Sequence, residues 1–364
     1  MNRKETEVLA LIRKNPYLSQ QDMAQILEMS RPSLANLISG LMRQGKIAGR
    51  AYVLPEEKTV VCIGGANVDR KFRMEKPAQM GTSNPASVTR SVGGVARNVA
   101  ENLGRLGHQV KLMSIAGNDP EWQLIEESSS TFMDCKLTKC FDEFSTGTYT
   151  AILEPNGEMV LAMADMAIYD ELTPVYVARN ENVLLSAAYI IIDLNCPKET
   201  VQYVRELAKS RKIPLAVIPV SGPKMNRLGD DLSGITWLIL NRDETESYLG
   251  QPIHSMEEWK TAAAHFLTSG VQNIVITGGG NGVVAGSNEE IIHYEPIPVE
   301  TVVDVTGAGD AFSSGLLHSA LNGESIADSV RSGLLNASKT LQSDTTVRSE
   351  LSAILLQKEL EELS

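Results

Sequence analysis

The sequence predicts an α/β protein: a mainly parallel sheet flanked by helices, carrying a small projecting β-flap and preceded by a small helical head. Three observations carry this expectation. From residue 58 onward, apolar runs of strand length alternate with helix-spaced segments, a rhythm that builds a parallel sheet covered on both faces. Stretches 70–92 and 146–162 break that rhythm and alternate apolar with polar residues, as exposed antiparallel strands do. The first 55 residues show only helix-period patterns and a short wing-like tail.

In the head, a first helix over about 3–13 carries Val8, Leu9, Leu11 and Ile12 and stops before Asn15-Pro16. Ser19, with Asp22 three residues on, caps a second helix whose inward residues are expected to be Met23, Ile26 and Leu27. Ser30 caps a third, with Pro32 tolerated in its first turn. That helix is expected to bury Leu34, Leu37, Ile38, Leu41 and Met42 and to present Arg31, Ser33, Asn36 and Arg43. Gly45 ends it, KIAGRAYVL reads as a small β-wing bearing Lys46 and Arg50, and 55–58 read as a linker. The sequence thus divides at about residue 55, with a second domain over 58–364.

In the body, TVVCIGGANVDR is a buried strand running into a Gly-Gly turn, with Asn67 and Asp69 where open α/β sheets bind ligands. Further strands are expected at 110–114, 188–193, 215–219, 237–240 and 273–277, with helices at 96–106, 198–210 and 256–269 between them.

Four motifs can carry chemistry. In SVGGVARNVAENLGRLG, Gly93 and Gly94 bring backbone amides to a helix start and Asn98 lies one turn in, a place for ligand oxygens or equally a packing turn. In NRDE, Asn241 and Glu244 share a face at a helix start, suited to Mg²⁺ near phosphates or simply to capping. ITGGGNGVV is a Gly-rich turn that fits a nucleotide approach or a hairpin, without the long helix of a dinucleotide fingerprint. DVTGAGDAF places Gly307, Ala308 and Gly309 at a helix N-terminus. Their amides, with that of Asp310, point at incoming negative charge. A phosphoryl group in transfer needs such fixed donors, and Asp310 stands where a hydroxyl must lose its proton.

The order GGANVD, GGVARN, NRDE, TGGGNG and DVTGAGDAF, spanning nearly all of 58–340, resembles the ribokinase-like (PfkB) carbohydrate and nucleoside kinases. The resemblance implies that fold and transfer of the ATP γ-phosphoryl group to an alcohol. It makes Asp310 the catalytic base and the 307–310 amides the anion hole. Asn67, Asp69, Gly93, Gly94, Arg97 and Asn98 become substrate binders. Thr277, Gly279, Gly282 and Asn336 border the nucleotide, as do Asn241 and Glu244, the latter organising Mg²⁺ through water. Asp304 matches a position that binds a monovalent cation such as K⁺. The β-flap over 70–92 and 146–162 becomes the family's β-lid, which in such kinases often forms a homodimer interface.

Arg97 before Asn98, with ANVD, LAMADM, IIDLN and PVS, resembles the bacterial pseudouridine kinases within that family, and places Thr148 and Asp165 at the base or ribose. Other nucleosides, ribose or fructose remain alternative substrates. The head resembles the winged helix-turn-helix of bacterial regulators, with Arg31, Ser33, Asn36, Arg43, Lys46 and Arg50 facing DNA. A structural cap is the plainer reading of that head, and a ligand-sensing regulator the alternative for the whole chain.

Composition sets the bounds. At 364 residues, 43% hydrophobic and 21% charged, the chain has globular composition and length for two domains. It has no run of about 18 apolar residues that would span a bilayer. Its N-terminus lacks signal-peptide character, so a cytoplasmic protein with reduced thiols at Cys62, Cys135, Cys140 and Cys196 is expected. The net charge of −12 is uneven: residues 1–50 hold eight Lys/Arg against four Asp/Glu, a balance of +4 that leaves −16 for the rest. A basic head on an acidic body points the head toward a polyanion.

Overall fold

The computed structural model describes residues 3–15, 18–47 and 59–363. In the head, α1 (Arg3–Lys14), α2 (Gln20–Ile26) and α3 (Arg31–Arg43) bury Val8, Ile12, Met23, Leu34, Ile38 and Leu41 against one another. Ser19 Oγ accepts from Asp22 N and Ser30 Oγ from Ser33 N, satisfying helix-start donors that have no partner within the helix. Two expected core residues are displaced. Ile26 and Met42 are exposed, because helical rotation carries them off the buried stripe, and Ala24 turns inward on α2 instead. Residues 48–58, which contain Arg50, most of the expected wing and the linker, lie outside the described residues.

The body holds strands β1 (Val60–Ile63), β2 (Asn67–Met74), β3 (Ala86–Gly93), β4 (Val110–Met113), β5 (Ile115–Gly117), β6 (Lys139–Phe141) and β7 (Thr148–Leu153). They are followed by β8 (Met159–Asp165), β9 (Tyr189–Asp193), β10 (Leu215–Ile218), β11 (Trp237–Asn241), β12 (Asn273–Thr277), β13 (Val283–Ser287) and β14 (Ile291–Tyr294). The main sheet runs β14-β13-β12-β11-β10-β9-β1-β4. It is parallel from β12 to β4, and β13 and β14 add antiparallel strands at one edge.

Strand alternation divides the core in two. Val61 and Ile63 of β1, Ile190 and Ile192 of β9, and Leu238 and Leu240 of β11 pack one helix layer, which contributes Val204, Phe266 and Trp259. Val60, Cys62, Tyr189, Ile191, Trp237 and Ile239 pack the other, against Val99, Leu103, Phe312 and Leu316. Each fully buried aliphatic side chain contributes roughly 1.5–3 kcal/mol. Because both faces are covered, these strands read as continuous apolar runs. Their C-terminal ends deliver Gly64-Gly65, Asp193, Asn241 and Thr277 to one edge of the sheet.

The lid is a separate sheet of order β3-β2-β7-β8. The sequence pattern reads as antiparallel throughout, but β2 and β7 pair in parallel, since the two hairpins that contain them lie side by side. Asn67, Asp69 and Lys71 of β2 share one face. Register sets Thr148 opposite Val68 and Asp165 opposite Thr148, so both belong to the other face.

Candidate active site

The helix Ala308–Leu321 begins at Gly307, whose φ of +83° is left-handed and whose added Cβ would lie 2.2 Å from Thr346 O. Only glycine fits there. No side chain caps this helix. Ala308 N reaches Val305 O at a long 3.4 Å, and the Gly309 and Asp310 amides have no partner among the described residues. Those donors and the helix dipole face one spot, which suits an anion.

Asp310 sits in that first turn. Its Oδ2 accepts a hydrogen bond from Asn98 Nδ2 at 2.8 Å. Burial pushes its pKa up to about 7; the Asn98 hydrogen bond and the Arg97 charge act downward, while Asp193 and Asp69 push further up. It is therefore a carboxyl poised between acid and base near neutrality. Asn98 belongs to α4 (Val95–Arg105), and Arg97 Nη1 donates to its Oδ1 at 3.0 Å. A guanidinium only donates, so this contact fixes the amide with its NH₂ toward Asp310.

Arg97, expected to touch substrate, does not reach the site directly. It is 2% exposed, donates to Ser129 Oγ at 3.1 Å on α5 (Pro120–Ser129), and pairs with Glu101. Its contact with the crevice runs through Asn98.

Across the crevice, Asp69 Oδ1 accepts from Asn67 Nδ2 at 2.7 Å. Burial raises the Asp69 pKa to about 6, against the lowering effects of Asn67, Lys71 and Arg97. Gly93 pairs with Asn67 across β2 and β3. Gly94, at φ +100°, lies so close to Gly65 O that a Cβ would approach it to 2.4 Å. Thr148 and Asp165 are not brought to the Asp69 face.

The floor contains residues that sequence reasoning passed over. Asp193, at the end of β9, accepts from Gly65 N at 2.9 Å, Ala96 N at 3.0 Å and Asn195 N at 2.8 Å. One buried carboxylate thereby pins the first Gly-Gly turn to the start of α4. Asn195 accepts from Lys224, an ammonium whose pKa burial lowers. An acid and an amide closing the apolar strand in IIDLN were the available signal.

On the other side of the helix tip is a cavity of about 600 Å³. Thr277, Gly279 and Gly282 of the β12–β13 hairpin, Ala308 and Gly309 of the helix tip, and Ala337 line it. The Gly-rich turn is thus a hairpin and a cavity wall at once. Asn336 is not on that wall. It is 0% exposed and bonds Ala311 O at 2.9 Å, Asn102 Oδ1 at 3.2 Å and Arg348 Nε at 3.1 Å, bracing the helix from behind.

Asn241, next to Thr277 in the sheet register, forms a reciprocal capping box with Glu244: Glu244 N to Asn241 Oδ1 and Asn241 N to Glu244 Oε2, both at 2.8 Å. Burial raises the Glu244 pKa to about 7, partly offset by the Asn241 amide. The capping reading is realised, and Oε1 remains without a hydrogen bond among the described residues. A buried carboxyl with one free oxygen fits Mg²⁺ held through water, since a divalent cation would restore its charge.

K⁺ at Asp304 does not fit in the same way. Asp304 Oδ1 accepts from Thr306 N at 2.9 Å and Thr306 Oγ1 at 2.7 Å, and Oδ2 accepts from Lys71 Nζ. Burial pushes its pKa up, yet the bonds from Lys71 and Thr306 together hold it below the usual range. A second cation at that carboxylate would lie near the ammonium, and like charges about 4 Å apart repel by roughly 4 kcal/mol in a partly buried setting.

In the head, Arg31, Ser33, Asn36, Arg43 and Lys46 are all exposed, and the Ser33 hydroxyl pairs with that of Ser30 at 2.8 Å.

Comparison with known proteins decides the family. Residues 57–353 match the pfkB family carbohydrate kinase model. The chain belongs to the pfkB family. This kinase is a phosphotransferase acting on an alcohol group of a sugar or nucleoside. It is 33% identical to the uncharacterized sugar kinase YeiI of Escherichia coli, over 91% of each chain. It is 32% identical to the pseudouridine kinase of Escherichia coli, over 82% of this chain and 95% of that one. Its fold superposes on a carbohydrate kinase from Agrobacterium tumefaciens with a TM-score of 0.74, at 30% identity, covering 84% of this chain and 97% of the other. Residues 1–48 match a winged helix-turn-helix DNA-binding model. No described helix of the kinase is long and apolar enough to cross a membrane.

Proposed function

We propose that this kinase transfers the γ-phosphoryl group of ATP to the 5′-hydroxyl of pseudouridine. One observation carries the choice of substrate: the likeness to the Escherichia coli pseudouridine kinase spans 82% of the chain at 32% identity. Asn67 and Asp69 hold ribose hydroxyls beneath the lid. The base of ATP enters the cavity beside Thr277, Gly279 and Gly282, and its phosphates lie along the tip at Gly307, Ala308 and Gly309. Asp310, oriented by Asn98, takes the hydroxyl proton as the hydroxyl oxygen attacks phosphorus, and the amides of the helix tip hold the equatorial oxygens. Mg²⁺ near Asn241 and Glu244 would neutralise phosphate charge when bound.

Asp310 in this role is the proposal's central assignment. The geometry that supports it is a raised carboxyl 2.8 Å from a fixed amide, in the first turn of an uncapped helix. Further parts of the proposal follow the chain's organisation. Residues 1–55 form a DNA-binding unit and 58–364 the kinase. The lid face that carries Leu161 and Met163, each 51% exposed, takes a second copy to form a homodimer.

The deciding experiment is an ADP-release screen with ATP and Mg²⁺ over pseudouridine, other nucleosides, ribose and fructose. Turnover of pseudouridine above the rest supports the reading. Strong turnover of ribose with none of pseudouridine replaces it by a sugar kinase, the reading that the similarity to a sugar kinase at 33% identity favours. No turnover on any alcohol would leave a ligand-sensing regulator.

A further inference from the structure

We infer that the Lys71 ammonium is a built-in monovalent cation, so that this kinase works without bound potassium or sodium. The inference rests on the kinase reading but not on which alcohol is phosphorylated. Strand β2 places Asn67, Asp69 and Lys71 on one face at alternate positions. The first two look into the substrate crevice, and the third crosses from the lid to the loop before the anion-binding tip. There its Nζ donates to Asp304 Oδ2 and, at 3.1 Å, to Thr306 Oγ1. Asp304 Oδ1 is saturated by the Thr306 amide and hydroxyl. Three hydrogen bonds thus fall on this loop carboxylate, one of them from an ammonium that is covalently attached and neutralises it.

The position gives the charge a function. Thr306 immediately precedes Gly307, whose left-handed backbone aims the tip amides. A bare carboxylate three residues upstream of that turn would oppose the negative charge arriving at those amides. An ammonium cancels it and, through Thr306, fixes the turn. Because Lys71 sits on the lid, the cation comes with the lid and not from bulk salt. An alkali ion seated at this carboxylate would meet the ammonium first.

The test uses the full chain with Mg²⁺ and ATP at a matched ionic strength on the order of 0.1 M, set by tetramethylammonium chloride in one arm and by KCl in the other, so that long-range screening is equal. Wild-type turnover should change by no more than about twofold between the two arms. Lys71→Met should lose about tenfold or more without KCl and regain it with KCl, whereas Lys71→Arg, which keeps a cation there, should stay indifferent. Melting temperature gives a readout independent of substrate: KCl should raise that of Lys71→Met and leave the wild type unmoved. Stimulation of the wild type by KCl of about tenfold would overturn the inference, as would a Lys71→Met enzyme whose melting ignores KCl. Should no alcohol be phosphorylated, the melting comparison still decides the cation question, while the kinase reading fails separately.

Discussion

In the proposed role Asp310 can take a proton only when ionised, and its surroundings resist ionisation. Burial and two neighbouring carboxylates lift its pKa to about 7, with Asn98 pulling the other way. The free-enzyme kcat/KM should therefore rise with pH to a plateau, along a limb near 7 to which Asp69, raised to about 6, also contributes. Asn98→Ala removes the hydrogen bond that favours the charged form, so its limb should move to higher pH in a pH–rate profile. Stability runs the opposite way. A carboxyl whose folded pKa exceeds its unfolded value binds more protons when folded, so its contribution is full below about 4 and is lost as pH rises toward 7. Asp310→Asn should thus melt higher than the wild type at pH 8 while losing on the order of 10²–10⁴-fold in kcat, with nucleotide binding kept. An active Asp310→Asn enzyme would remove Asp310 from the base role. Asp310, Asn98 and Asp69 were legible because each stands in a short motif beside glycines. The roles of Arg97 and Asp193 were not. An Arg four residues before a Glu on a helix reads as a surface pair, and only the packing of α5 and Ser129 reveals it as buried.

At the scale of elements, the tip of the Ala308–Leu321 helix is the most demanding piece of backbone in the site. Gly307→Ala meets both a φ of +83° and the Thr346 carbonyl at 2.2 Å, so the turn must move and the tip amides with it. The expected cost is about 1–3 kcal/mol of stability and, from misdirected donors, roughly 10²–10³-fold in kcat; thermal melting and steady-state kinetics measure the two. Behind the same helix, Arg348 is braced by Glu359 through two bonds of 2.9 and 2.8 Å and passes that order to Asn336. Glu359→Ala leaves a guanidinium that is 1% exposed with only Asn336 and, at 4.0 Å, the exposed Glu350 as partners. A loss of about 3–5 kcal/mol in denaturant unfolding is expected. The strands and helices expected between 96 and 277 lie within a residue or two of the observed ones, because fully buried runs and caps are local signals, whereas the helices at 120–129, 174–186, 326–340 and 353–362 were not read. The sequence hid the Arg348–Glu359 brace, whose members lie on a loop and on the ordinary-looking helix Ala353–Glu362. It also hid the parallel β2–β7 pairing, since alternation specifies faces and not partners.

At the scale of the whole molecule, a head of +4 precedes a chain remainder of −16. Non-specific attraction of the intact protein to DNA should therefore be poor, and binding must come from local contacts of the head. Arg31 and Arg43 on α3, Lys46 beyond its end, and Arg50 further on are the cations of the proposed DNA-facing side. If three to four phosphates are neutralised per head, log affinity should fall against log salt with a slope of about −3 to −4. That is roughly two orders of magnitude between 50 and 200 mM salt. Fluorescence anisotropy with the protein's own promoter region checks the slope, and Arg31→Ala or Arg43→Ala should reduce it by about one each. Where the head reports on the kinase crevice, adding substrate nucleoside shifts the operator affinity, and by linkage the operator shifts nucleoside affinity by the same factor. A slope near zero, or no binding at any salt, would make the three helices a structural cap. Their exposed Arg31, Asn36 and Arg43 would then be a solvated face, and the kinase would act without DNA.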